Sequence, residues 1–102
     1  MIKVAISQRL DTWTPYNEER DSLDHRWYFL FEGVSPDVCI FPVPNFRPDL
    51  LPRWLGHIGP DLIVLSGGND VGSSVVRDQT EAVLIRCALR NSIPVLGICR
   101  PL

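Results

Sequence analysis

The sequence predicts an α/β fold: a parallel sheet of about four strands with helices on both of its faces. Short apolar segments rich in β-branched residues alternate along the chain with longer segments of helical periodicity. Glycine, proline and asparagine separate these segments and mark the turns between them. This alternation favours βαβ units, whose right-handed crossovers distribute helices over both faces of one sheet.

The first third of the chain is predicted to form a strand, a loop and a helix. Ile2 to Ser7 is short, apolar and β-branched, which suits a buried strand. A helix is predicted over residues 21–33, where apolar residues recur at near-helical spacing, with Asp21 as its cap and Gly33 at its end. Residues 8–20 between them are predicted to be a loop, whose residues either line a pocket or only pack locally: Trp13, Pro15 and Tyr16.

The middle of the chain is predicted to form a strand, a short helix and a second strand. Val38 to Val43 is the first of these strands. An amphipathic helix is predicted over residues 50–58, with Pro52 in its first turn and Gly59-Pro60 as its stop signal. Asp61 to Leu65 is a clear apolar strand that runs directly into a polar, glycine-containing turn.

The last third is predicted to contain a turn, a longer helix and a fourth strand. The turn is Ser66-Gly67-Gly68-Asn69-Asp70, and a loop continues from it to about residue 77. Asp78 followed by Glu81 resembles a capping box and predicts the start of a helix that ends at Arg90 or Asn91. The final strand is predicted over residues 94–99 and stops at a cysteine.

Functional groups are expected at the carboxyl ends of the parallel strands, because open α/β sheets bind ligands there. Those ends carry Gln8-Arg9, Pro44-Asn45, Gly67-Gly68 and Cys99-Arg100. A cysteine at a strand-to-helix turn is held clear of its own backbone and gains thiolate character from the helix dipole. Glycines at the neighbouring strand end allow backbone N–H groups to approach a reacting carbonyl oxygen. The alternatives are a buried strand-end cysteine and an ordinary glycine turn.

Three ordered blocks of sequence resemble the class I glutamine amidotransferases, in particular their γ-glutamyl-γ-aminobutyrate hydrolase-like branch (peptidase C26 type). The blocks span residues 61–71, 77–81 and 93–100. The resemblance implies a flavodoxin-like domain of which residues 1–102 would be a single, partial copy, equivalent to the amino-terminal half.

The same resemblance implies a role for each matching residue. Cys99 would be the nucleophile that forms a thioester with glutamine or a γ-glutamyl amide. The main-chain N–H groups of Gly68 and Arg100 would form the oxyanion hole, and Gly67, Asn69 and Asp70 would belong to a substrate loop. No cofactor and no metal are expected. A synthetase that receives the ammonia is one expected partner.

Two departures from the family pattern bear on activity. The family has glycine two residues after the nucleophile, where this chain has Pro101. The family's catalytic histidine and glutamate follow the nucleophile, whereas His25 and His57 precede it. We therefore expect that the chain alone does not turn over substrate.

The alternative is a non-catalytic, truncated homologue that acts as a fold fragment or interaction module, with an open sheet edge available for self-association. A weaker hypothesis is a small-ligand binder that uses residues 66–72 as an anion-binding turn.

Composition excludes several other classes of protein. The net charge of −2 over 102 residues gives no electrostatic reason to expect nucleic acid or an anionic membrane as a partner. No apolar run reaches the roughly 18 residues of a membrane span, and the amino terminus does not resemble a signal peptide, so the expected location is the cytoplasm. The three cysteines, Cys39, Cys87 and Cys99, form neither a disulfide framework nor a zinc-binding pattern.

Overall fold

A computed structural model of the chain describes residues 1–67, 72 and 74–98. In chain order, its strands and helices are β1 (Ile2–Ser7), β2 (Arg9–Trp13), β3 (Glu18–Ser22), α1 (Arg26–Val34), β4 (Val38–Val43), α2 (Leu51–Ile58), β5 (Leu62–Leu65), α3 (Val75–Asn91) and β6 (Val95–Gly97). Short 3₁₀ turns at Thr14–Tyr16 and Pro48–Leu50 connect β2 to β3 and lead into α2.

Four strands of the described residues form a parallel sheet in the order β4-β1-β5-β6. If only the four strands of this sheet are numbered along the chain, they lie side by side as second, first, third and fourth. This is the flavodoxin-like strand order. The α/β prediction is therefore confirmed. The chain moves outward from β1 in one direction and then returns to its other side, so the topological switch point lies between β1 and β5.

Both faces of the sheet are covered by helices, as predicted. Successive residues of β1 point to opposite faces: Ala5 packs with Ile63 and Leu84 on the side of α2 and α3. On the opposite face, Val4 and Ile6 pack with Phe31 of α1. Among the described helices, none combines the length and the apolar character that crossing a bilayer requires.

The prediction of a loop over residues 8–20 followed by a helix from residue 21 is wrong. Strands β2 and β3 instead form an antiparallel hairpin, with Arg9 opposite Ser22. The hairpin is almost entirely exposed, so it lacks the alternation of apolar and polar residues that reveals a half-buried strand. Asp21 belongs to this hairpin and does not cap a helix, and α1 begins only at Arg26.

Helix α3 begins earlier than the Asp78–Glu81 pattern predicted. Its cap is Ser74, whose hydroxyl accepts a hydrogen bond from the backbone N–H of Arg77 at 3.2 Å. The helix ends at Asn91, as predicted, and Ser92 follows in a left-handed conformation. The early start places Arg77 in the first turn of the helix, facing the end of β5.

Helix α2 follows its prediction closely. It begins at Leu51, with a proline in its first turn, and its carboxyl cap is Gly59 at φ 63°. That left-handed conformation is one that glycine adopts without steric cost.

Candidate active site

A cleft of about 530 Å³ lies at the carboxyl ends of β5 and β6. It therefore occupies the edge at which open α/β sheets bind their ligands. The sheet, the hairpin and the start of α1 contribute its lining residues: Ser66, Gly67 and Ile98; Arg9, Asp11 and Ser22; Leu23, Asp24 and Trp27. A second hollow of about 470 Å³ includes Gly59 and Ile93, at the amino ends of the same strands, and is remote from this edge.

The predicted site residues fall on both sides of the boundary of the described structure. Gly67 lines the cleft. Ile98 also lines it, and its N–H donates to the carbonyl of Leu65 at 2.8 Å, which continues the pairing of β6 with β5. The other predicted residues, namely Gly68, Asn69, Asp70, Cys99 and Arg100, lie outside the described residues, as does Pro101.

A buried hydrogen-bond network joins the ends of β1 and β5 at the switch point. The N–H of Ser66 donates to the Ser7 hydroxyl at 2.9 Å, and the Ser66 hydroxyl donates to the Ser7 carbonyl at 2.6 Å. The Ser7 hydroxyl donates in turn to a carboxylate oxygen of Glu81 at 3.1 Å. These reciprocal bonds fix the backbone at the point where β5 passes into the loop that follows it.

Arg77 completes this network from the first turn of α3. Its side chain is fully buried, and its Nη2 atom donates to the carbonyls of Ser66 at 2.6 Å and Gly67 at 3.1 Å. The same nitrogen lies 3.5 Å from the Glu81 carboxylate, so the two charges are paired inside the protein. A buried guanidinium thus holds two successive carbonyls toward α3.

In the hairpin wall of the cleft, sequence reasoning indicated Arg9, as part of the strand end that follows β1, and missed Asp11 and Ser22. Arg9 Nε donates to Asp11 at 2.8 Å, and the Ser22 hydroxyl donates to the other oxygen of the same carboxylate at 2.7 Å. Arg9, Asp11 and Trp13 are every second residue of β2, so their side chains lie on the same face of the strand. This spacing is the sequence signal that could have indicated the wall. Trp13 lies outside the residues that line the cleft, and so do Pro15 and Tyr16.

The hairpin is tied to the sheet through Asn45, which follows β4. The backbone N–H of Asn45 donates to Asp21 at 3.1 Å, and its side-chain amide donates to Asp21 and to the Gln8 carbonyl, both at 2.9 Å. The side-chain amide of Gln8 donates to the Val43 carbonyl at 3.0 Å. These bonds hold the hairpin over the carboxyl edge.

Asp24 lies where the hairpin passes into α1. One oxygen of its carboxylate accepts the backbone N–H of Arg26 at 2.9 Å, and the other accepts Nε and Nη2 of the same arginine. The hydrogen bonds from the Arg26 side chain, followed by the one from its backbone, lower the pKa of Asp24 to about 2. This carboxylate is ionised near neutral pH and accepts three hydrogen bonds from Arg26.

Neither histidine of the chain lines the cleft. His25 and His57 are both exposed, at the start of α1 and in the last turn of α2. Within the part of the chain that the structure describes, no group of three or more histidine, cysteine or acidic residues is arranged to hold a metal ion. Cys39 and Cys87 are half-buried free thiols.

The fold and the cleft define an α/β protein of flavodoxin-like topology with a candidate ligand site at the carboxyl edge of its sheet. The chain is 32% identical, over 104 aligned residues, to the gamma-glutamyl-CDP-amidate hydrolase of Campylobacter jejuni subsp. jejuni serotype O:2. The alignment covers 95% of this chain and 50% of that enzyme, so the chain spans about half the length of the curated relative it matches. No protein-family model matches the sequence. The similarity supports a relationship to a family of hydrolases.

Proposed function

We propose that the chain is the nucleophile-bearing part of a γ-glutamyl amide hydrolase of the glutamine amidotransferase type, with Cys99 as the nucleophile. The observation that carries the proposal is that Gly67 and Ile98 line one cleft. Gly68 and Cys99 are the next residues along the chain from these two. The name of the Campylobacter relative describes action on a γ-glutamyl amide, which supports the same class of substrate.

In the proposed reaction, the Cys99 thiolate attacks the γ-carbonyl carbon of the substrate and forms a C–S bond. The C–N bond of the amide then breaks, and the nitrogen leaves as an amine after it gains a proton. Water attacks the resulting thioester, so the products are glutamate and the regenerated thiol. General acid–base catalysis must serve both steps.

The proposed oxyanion hole consists of the N–H groups of Gly68 and Arg100. The carbonyl and the N–H of a trans peptide point in opposite directions. Because Arg77 holds the Gly67 carbonyl toward α3, we assign oxyanion binding to the N–H of the residue that follows. One such donor contributes about 3–4 kcal/mol to transition-state stabilisation.

Proton transfer is assigned to a group outside residues 1–102, because neither His25 nor His57 lines the cleft. Residues 1–102 alone are accordingly expected to react covalently with an activated substrate analogue without turning over γ-glutamyl amides.

Asn69 and Asp70 are proposed to complete the substrate loop that begins at Gly67.

Covalent labelling tests the nucleophile. A glutamine-analogue alkylator, such as 6-diazo-5-oxo-L-norleucine, is expected to modify Cys99 before Cys39 and Cys87, with slower modification when excess L-glutamine is present. Peptide mass spectrometry locates the adduct, and Cys99→Ser is the matched control. Iodoacetamide, which has no glutamine-like group, measures the general reactivity of each thiol. Equal labelling of the three thiols, or labelling that glutamine does not slow, would exclude an activated nucleophile at Cys99.

A second candidate function is that of an interaction module. In the described sheet, β6 pairs with β5 on one side only, and Val95, Leu96 and Ile98 are each more than two-fifths exposed. An edge strand with exposed apolar residues favours pairing with another chain. Sedimentation equilibrium distinguishes this function: a dimer that Leu96→Lys dissociates supports it, whereas a monomer at all concentrations contradicts self-association. For the first function, the proposed partner is a synthetase that receives the ammonia released when the substrate is glutamine.

A further inference from the structure

We propose that the β2–β3 hairpin forms the binding site for the α-amino acid head group of the substrate, in which Arg9 binds the α-carboxylate and Asp11 accepts from the α-ammonium. The inference rests on the proposed function, which it extends by assigning substrate recognition to residues outside the three sequence blocks. A γ-glutamyl amide carries both groups on one carbon, separated from the reacting carbonyl by two methylene groups.

Arg9 has donor capacity that the described structure does not use. It lines the cleft, and its Nε atom is occupied by Asp11 at 2.8 Å. No hydrogen bond or ion pair joins its two Nη atoms to another described residue. A guanidinium has five N–H donors in a planar fork that matches a carboxylate. Because Nε donates to Asp11, the two Nη atoms are the donors that remain available to an anion.

Asp11 is oriented by two donors and retains acceptor capacity. Each of its oxygens accepts one hydrogen bond, from Arg9 Nε and from the Ser22 hydroxyl. An ionised carboxylate has about four lone-pair positions, so each oxygen can accept a second donor. A positive and a negative group 2.8 Å apart therefore face the same cleft, as a zwitterionic head group requires.

Asp24, the other acidic residue of the cleft, has less acceptor capacity left for the ammonium than Asp11. Arg26 donates three hydrogen bonds to Asp24, whereas Asp11 accepts two. Leu23, Trp27 and Ile98 give the cleft an apolar part, and the hydroxyl of Ser66, which also lines it, donates to the Ser7 carbonyl. Apolar lining in the same cleft suits the methylene groups that separate the head group from the reacting carbonyl.

The hairpin is also anchored, which limits the entropy lost when a ligand binds. The hydrogen bonds of Asp21 with Asn45 hold β3 to the carboxyl edge, and the Ser22–Asp11 bond joins the two strands across the hairpin. A charged group held in place before binding contributes more affinity than one that must be ordered on binding.

Ligand titrations followed by ¹⁵N NMR test the proposal with three probes: L-glutamine, 4-aminobutanamide, which lacks only the α-carboxylate, and cytidine diphosphate. Arg9→Gln is expected to weaken L-glutamine binding by about tenfold or more, because a charge-assisted bidentate contact is lost. Its affinity for 4-aminobutanamide should fall much less than its affinity for L-glutamine, since that probe has no carboxylate to lose and Ser22 still orients Asp11. Arg47→Gln is the matched control. Arg47 also pairs with an aspartate two residues later, Asp49, through Nε at 3.1 Å and Nη2 at 3.0 Å, and 56% of its side chain is exposed, compared with 58% for Arg9.

The outcomes separate this inference from the function on which it rests. If Arg9→Gln binds L-glutamine as tightly as the unchanged chain does, the head-group site is refuted and the proposed function is untouched. If Arg9→Gln weakens only cytidine diphosphate, the arginine binds a phosphate of a leaving group and the inference is wrong. If the unchanged chain binds neither amide, the proposed function fails and the head-group site fails with it.

Discussion

Replacing Arg77 with methionine should destabilise the protein more than any change on the exposed face of the same helix. The side chain is fully buried, and its loss removes the donor to the Ser66 and Gly67 carbonyls. The Glu81 carboxylate, whose side chain is 10% exposed, also loses the opposite charge 3.5 Å away. Breaking a buried ion pair from one side costs about 3–5 kcal/mol. A domain of 102 residues has a total stability of about 5–15 kcal/mol, so Arg77→Met removes a large fraction of it.

Urea denaturation followed by tryptophan fluorescence measures this loss. Arg86→Met, on the exposed face of α3, is the matched control and should change stability by less than about 0.5 kcal/mol. If Arg77→Met does not fold, Arg77→Lys keeps the charge without the planar fork and should cost about 1–3 kcal/mol. Adding Glu81→Leu to Arg77→Met should recover part of the loss, because the buried carboxylate that loses the charge of Arg77 is then removed. A cost below about 1 kcal/mol for Arg77→Met, or no recovery in the double variant, would refute the ion-pair argument.

Two further predictions concern a glycine pair and a carboxylate. Gly59→Ala should destabilise the protein by about 1–2 kcal/mol, because residue 59 has φ 63°. Gly56→Ala, inside α2 with nothing within 4 Å of an added Cβ, should stabilise it by about 0.5–1 kcal/mol, and shifts of the same sign in thermal melts would contradict this argument. Asp24 should titrate near pH 2 by ¹³C NMR and closer to its ordinary pKa of 3.8 in Arg26→Gln, because the Arg26 side chain is the main cause of the lowered pKa. Since folding lowers this pKa, the stabilising contribution of the carboxylate is complete above about pH 4 and is lost as the pH falls toward 2; a midpoint of 3.8 in the unchanged chain would contradict it.

The parallel sheet was predictable because its two central strands, β1 and β5, are largely buried. β5 is a continuous apolar run and β1 is apolar apart from Lys3 and Ser7, and this pattern requires no knowledge of the rest of the structure. The β2–β3 hairpin was not predictable by the same means, since Glu18–Ser22 is polar and exposed throughout. Contacts with other residues stabilise its strands: the Arg20 guanidinium carbon lies 5.3 Å from the centroid of the Trp13 ring, and Asn45 donates to the Asp21 carboxylate. Such pairings depend on tertiary contacts that local propensity does not contain.

The candidate site was predictable only in part, for a related reason. Gly67 stood out because glycines at a strand end indicate a backbone that approaches a ligand. Arg77 lay in a recognised sequence block, but nothing local indicates that an arginine is fully buried, since this residue type is almost always exposed. Its burial depends on the start of α3 at Val75, after the cap Ser74. The sequence pattern predicted a later start, at Asp78.

The two walls of the cleft are held by separate sets of interactions, and this separation makes the proposals independently testable. The strand-end wall depends on the network of Ser7, Ser66, Arg77 and Glu81, in which α3 fixes the end of β5. The hairpin wall depends on Asn45, which ties it to the end of β4. Because no residue is shared between these sets, changes in one wall should leave the other largely intact. Arg77 holds the Gly67 carbonyl next to the proposed oxyanion donor, so Arg77→Met should slow labelling of Cys99 at any glutamine concentration. Arg9→Gln should instead weaken the protection by glutamine and slow labelling by the glutamine analogue, because both carry the head group that Arg9 is proposed to bind, while the rate with iodoacetamide, which lacks that head group, should change little.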